Sequence, residues 1–209
     1  MRAKLWAFSG FRRVAGPSGK GRRRSWLWLL PVIWLFWGLA LGSMVNDSPT
    51  MDEQNHLTRG YALLMTGDPR LSVEHPPLVN VLSALPLLLL PELHLDTSSS
   101  AWQDGQWYAV ADSFLWETNQ DVTRMIFLAR LPIVWLTLAL GLAGFGLGWQ
   151  MWGRNAAALT FTLLLFDPNI LAHGRYTTTD LGGTFFLLLA VWGLWRMWRG
   201  GIGRGPLAV

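Results

Sequence analysis

The sequence predicts an all-α polytopic membrane protein with four transmembrane helices and amphipathic interfacial helices in a large first outside loop. Three observations predict it. Hydrophobic residues make up 51% of the 209, and they fall in blocks rather than at the spacing of one helix or strand face. Fourteen residues are tryptophan, and Trp26, Trp28, Trp149, Trp152, Trp195 and Trp198 stand near block ends, where amphipathic rings anchor at the headgroup level. Charge is also segregated. Arg2, Lys4, Arg12, Arg13, Lys20, Arg22, Arg23 and Arg24 all precede Trp26, while eleven of the thirteen acids lie between Asp47 and Asp121.

A basic arm abutting an apolar block is a topology signal. It predicts a cytoplasmic N-terminus in the cell's inner (plasma) membrane. The net charge of +4 is therefore read as orientation, and nucleic acid is not an expected partner. No cysteine is present, which excludes disulfides and thiolate metal sites.

The elements follow in order. Residues 1–25 read as a basic cytoplasmic arm, and 26–199 as the membrane domain. The first span is expected at 26–43; it is longer than a usual signal-peptide core and carries Trp and Pro. An outside loop at 44–125 follows. In it, Thr50-x-x-Glu53 fits a helix-start capping box, and Leu57, Tyr61 and Leu64 share one helical face. Gly67-Asp68-Pro69 supplies the stop.

A second loop helix is expected after Pro77, with Leu78, Val81, Leu82, Leu85 and Leu89 on one face and Asn80 and Ser83 off it. It is too short to cross the bilayer and is read as interfacial. The aromatics between Glu92 and Gln120 are expected to press the loop onto the membrane surface. Further spans are expected at 126–149, 156–172 and 181–198, with a cytoplasmic tail at 200–209; each turn assigned inside carries Arg.

The candidate functional residues cluster on the outside. Asp52 and Glu53 are adjacent carboxylates at a membrane boundary. They fit a helix N-terminus, where acids suit the dipole, and equally a general base whose proton affinity a like charge retunes. His56 lies one turn on and is read either as orienting Asp52 or as a solvated face. Glu74-His75 precedes Pro76-Pro77; the two types suit a divalent ion, with Asp52, Glu53, His173 or Asp180 as further ligands, or else form a polar helix entry. Arg130 sits a little inside the second span, where a charge is costly unless paired or used, and it suits either a phosphate or snorkelling. Arg175 shares those readings, and Asp180 also reads as the cap of the last span.

The ordered set Asp52-Glu53, His56-Leu57-x-x-Gly60-Tyr61, Gly67-Asp68-Pro69-Arg70 and Glu74-His75-Pro76-Pro77-Leu78 resembles the first outside loop of GT-C glycosyltransferases. Within them it is most similar to the protein O-mannosyltransferase and lipid A aminoarabinose transferase group, the phospholipid carrier-dependent glycosyltransferases. Asp167-Pro168-Asn169-x-x-Ala172-His173-Gly174-Arg175 and Thr178-Thr179-Asp180 resemble a second patch of bacterial members.

The resemblance covers about Ser25 to Arg199 and implies an inverting membrane transferase. It would pass a sugar from a polyprenyl-phosphate donor to a protein, lipid or glycan hydroxyl. The resemblance implies Asp52 at the reaction centre with Glu53 supporting it, Arg130 (with Arg175) on the donor phosphate, and a divalent metal ion as an open alternative at Glu74 and His75, with His173 and Asp180 supporting. Relatives have many more spans, so the chain is expected to be an N-terminal portion, with another chain an open source of the missing helices. The competing expectation is a non-catalytic membrane subunit, or a degenerate copy, that binds lipid-linked sugar or a partner.

Overall fold

A computed structural model describes residues 27–72 and 74–200. The basic arm at 1–25 and the tail beyond Gly200 lie outside the described residues. Among the described residues every regular element is helical: α1 (Leu29–Met44), α2 (Met51–Thr66), α3 (Pro77–Ala84) running into a 3-10 turn (Leu85–Leu89), α4 (Ser100–Gln103), α5 (Trp107–Asp112) running into a π-helical turn (Ser113–Thr118), α6 (Val122–Trp152), α7 (Arg154–Leu165), α8 (Pro168–His173) and α9 (Asp180–Gly200).

Two of these, α6 and Asp180–Arg199 of α9, are long and apolar enough to cross a membrane. At 1.5 Å rise per residue, α6 reaches about 46 Å against a hydrocarbon core of about 30 Å. The four expected spans differ from this in detail. The first is the 16-residue α1. The third is not one helix: the 12-residue α7 is about 18 Å long and stops before Asp167, whose carboxylate caps the separate α8 through the amides of Asn169 and Ile170. The sequence Asp-Pro-Asn is a stop and a start in one, which breaks the expected 156–172 span.

The membrane helices pack through small residues. A Cβ on Gly141 would run into Leu165, one on Gly144 would crowd Leu164, and one on Gly148 would meet Ala157 and Thr160, so α6 and α7 lie closer than larger side chains would let them. α1 closes the same core with Phe36, Ala40 and Met44 against Val134, Leu138 and Phe161. α9 packs on α6 along Leu181, Phe185 and Leu188, but keeps Leu187, Val191, Leu194 and Trp198 exposed. An apolar face of that kind is costly in water and costs nothing in lipid.

The long loop folds as a cap. α2 starts on the expected box, with Glu53 N–H donating to Thr50 Oγ1 and Thr50 N–H donating to Glu53 Oε2. It ends at Gly67 in the left-handed region (φ 70°), whose N–H donates to Leu63 O. Ten consecutive residues, Glu53 to Ala62, are buried, so α2 is enclosed on all sides rather than on one apolar face.

α3 separates its faces as expected, and the polar edge is the one that packs. Asn80, Ser83 and Ala84 turn inward, while Leu78, Leu85 and Leu89 are 50%, 44% and 75% exposed. A helix that hides its amides and shows its leucines suits the acyl boundary of a bilayer. The loop aromatics divide, with Tyr108 and Trp116 exposed. Trp102 and Phe114 are buried against the protein, and Phe114 stacks on Tyr61 at 5.1 Å between centroids. These two rings fill the space between the loop and α2.

Candidate functional site

The ends of α1, α2, α6 and the α8–α9 loop converge on one carboxylate. Glu53 and Arg130 are both completely inaccessible. Arg130 Nε donates to Glu53 Oε1 at 2.8 Å and Nη2 to Oε2 at 2.7 Å, a parallel fork that fixes both planes. The Thr177 amide donates to Oε1 at 3.0 Å. Arg130 Nη1 also reaches the carbonyls of Met44 (3.4 Å) and Asp47 (3.0 Å), and Nη2 that of Ser48 (3.0 Å). Burying two charges costs several kcal/mol each unless every lone pair and proton is satisfied; here all five guanidinium N–H groups have acceptors.

The sequence offers Arg130 to a donor phosphate; in the structure every donor it has is engaged by Glu53 and by the chain following α1. Glu53 is likewise committed, both as the cap of α2 and as the partner of Arg130. The pair pins the start of α2 to the head of α6.

Above it lies an open rim. Asp52, the neighbour of Glu53, is exposed and makes no hydrogen bond or ion pair among the described residues. Arg175 Nη2 lies 3.1 Å from Asp47 Oδ2 and donates to Tyr176 Oη at 2.9 Å, while Tyr176 Oη donates to the same carboxylate oxygen at 2.8 Å. Both guanidinium groups lie over the Tyr176 ring, Arg130 at 5.2 Å and Arg175 at 4.9 Å. A cavity of about 220 Å³ opens beside them, lined by Asp47, Ser48 and Arg130 on its polar side and by Val45, Ile126 and Phe127 on its apolar side.

The other candidates fall elsewhere. Glu74 binds Arg59 at 2.9 Å, and Arg59 is buried with its guanidinium 4.2 Å from the Trp107 ring. His75 is exposed, with its ring 5.1 Å from that of His56. His56 is buried and its Nδ1 lies 3.0 Å from Asn80 Oδ1; with that oxygen as acceptor, Nδ1 carries the proton. Burial lowers the His56 pKa below the ordinary imidazole value, and His75 and Arg59 push the same way against the Asn80 bond.

His173 ends α8 in solvent, and Asp180 accepts from Thr178 Oγ1 at 3.3 Å. Among the described residues no three His, Asp or Glu side chains gather closely enough to hold a metal ion, so Glu74, His75, His173 and Asp180 do not form the expected ligand set. Three residues of the rim and its floor were missed in the sequence: Asp47, Tyr176 and Thr177. The available signal was an acid directly after the first span and a tyrosine beside a candidate arginine.

Fold and site together define a helical membrane-type protein with a charged, partly open centre at one end of its helices. Residues 105–203, just under half of the chain, match the family model of dolichyl-phosphate-mannose-protein mannosyltransferase. Over those residues the match agrees with the resemblance to that transferase group. It includes Arg130, His173, Arg175 and Asp180, and stops short of Asp52 and Glu53. The comparisons with curated proteins and with solved structures returned no match.

Proposed function

We propose that the chain transfers a sugar from a polyprenyl-phosphate donor to a hydroxyl of a protein, lipid or glycan at the outer face of the inner membrane. The observation that carries this reading is the pairing of roles at residues 52 and 53. Glu53 is locked to Arg130 near the head of α6, and the neighbouring Asp52 stays exposed and unpaired at the start of α2.

In this reading the Asp52 carboxylate takes the acceptor's hydroxyl proton as its oxygen attacks the anomeric carbon from the face opposite the phosphate. The bond from that carbon to the phosphate oxygen breaks with inversion. The leaving phosphate keeps the electron pair, and the Arg175 guanidinium offsets its charge. The exposed leucines of α3 rest in the acyl boundary and hold the cap at the depth of the donor headgroup.

The test is transfer from a polyprenyl-phosphate sugar by the purified protein in nanodiscs. Asp52→Asn, nearly isosteric and exposed, is expected to lower turnover by about 10²–10⁴-fold with unfolding temperature unchanged. Turnover retained in that variant would remove Asp52 from the chemistry.

A further inference from the structure

Arg175 is held in an unusual way for a rim arginine. Its Nη2 is shared between the Asp47 carboxylate and the Tyr176 hydroxyl, while its Nε is buried and has no hydrogen-bond partner. One carboxylate oxygen, Asp47 Oδ2, gathers both the guanidinium and the tyrosine O–H. A tetrahedral oxyanion has more acceptor oxygens than this carboxylate uses, and guanidinium binds phosphate through two parallel N–H donors. The present arrangement satisfies one face of Arg175 and leaves the Nε donor idle.

Asp47 is also free to leave. Its backbone carbonyl is tied to Arg130 at 3.0 Å, but its side chain is 31% exposed and reaches the rim from the linker between α1 and α2, at the wall of the cavity. Rotation of one side chain would free Arg175 and Tyr176 without disturbing the Glu53–Arg130 pair.

We infer that the Asp47 carboxylate is an internal stand-in for a phosphate ester, and that a phosphate-bearing ligand binds by displacing it from Arg175 and Tyr176. This deepens the transferase reading and rests on it. Arg175 Nε then gains the partner it lacks, and the Tyr176 O–H passes from carboxylate to phosphate. Empty protein keeps its rim arginine neutralised, and the exchange of one anion for another sets a threshold for donor binding. The phosphate could belong to the donor or to a bilayer lipid.

The test measures binding of a short-chain polyprenyl phosphate to the full chain in phosphatidylcholine nanodiscs, with unphosphorylated polyprenol as control and phosphatidylglycerol as competitor. Asp47→Asn is expected to bind the phosphate about fivefold more tightly than the parent, the scale of a partly exposed ion pair. The gain is expected to vanish in Asp47→Asn/Arg175→Gln. Asp47→Ser repeats the test if the Asn variant does not fold. Strong competition by phosphatidylglycerol supports displacement and assigns the phosphate to a headgroup; weak competition supports displacement by the donor.

Binding by the parent protein with no gain in Asp47→Asn, or a gain that survives Arg175→Gln, overturns the inference and leaves the transferase reading standing. Absence of phosphate-dependent binding in every form overturns both.

Discussion

Two arginine–carboxylate pairs flank the same tyrosine ring and differ in every physical respect. Glu53–Arg130 is sealed, with two parallel bonds and each remaining donor spent on a carbonyl. Asp47–Arg175 is partly open, with one contact and an idle donor. The first is too expensive to break and too complete to bind anything else, so it acts as a joint. The second lies near the surface where pairs are weak, so it can exchange partners. Similar chemistry thus serves construction in the sealed pair, and the open pair is where the proposed exchange of anions would act.

The sharpest way to break that contrast is to remove one charge from the joint. Glu53→Gln leaves Arg130 buried without its counter-charge and is expected to cost about 3–5 kcal/mol in detergent unfolding. Glu53→Gln/Arg130→Met removes both charges and is expected to cost less than the two single changes added together. A Glu53→Gln protein as stable as the parent would mean that the pair is not the joint described here.

The next effect lies where α2 meets α3. A Cβ on Gly60 would overlap the Asn80 backbone carbonyl and crowd Ala84, none of which is a flexible tip that could move aside. Gly60→Ala is expected to destabilise the cap by about 1–3 kcal/mol, seen as faster amide exchange in α2 and α3, with α6 and α7 unchanged. Equal loosening of α6 would show that the joint depends on the cap as much as the cap depends on the joint.

The sequence made the local parts of this site readable and left the long-range parts hidden. The Thr50–Glu53 box, the Gly67 stop and the apolar face of α3 follow from spacing and are present. The family match agrees with the resemblance over residues 105–203, which hold the second motif patch at Asp167–Asp180 and not the first-loop motifs. What spacing could not show was that Glu53 spends its carboxylate 77 residues away on Arg130, because a capping acid and an ion-pairing acid look the same in one dimension. The cost of a charge inside α6 did signal that Arg130 must be paired or used, and left open which. The broken span at Asp167 was also visible as Asp-Pro-Asn, but hydropathy alone runs straight through it. Asp47 escaped notice because its importance comes from Arg175 and Tyr176, which reach it from the far end of the chain.

A third prediction concerns pH. The His56 pKa is lowered in the folded protein, so below about pH 6.5 the unfolded chain binds more protons than the folded one. Stability from a neutral, buried His56 is therefore fully present above that pH and is lost as pH falls toward the lowered folded value. His56→Gln is expected to flatten the fall in unfolding temperature between pH 7 and 5. An identical slope in both proteins would place the acid sensitivity elsewhere.

The smallest effect tests the comparison most directly. The Asp47–Arg175 contact, partly exposed, is expected to contribute about 0–1 kcal/mol, so Asp47→Asn should barely shift unfolding at low salt and not at all at about 1 M salt, where the screening length is about 3 Å. The Glu53→Gln deficit should persist at the same salt, because no counter-ion reaches a pair with zero accessible surface. If salt erased both deficits alike, the joint would be wet, and the division between a sealed floor and an exchangeable rim would fail. If it erased neither, Asp47 would be structural, and Arg175 would have no anion to trade.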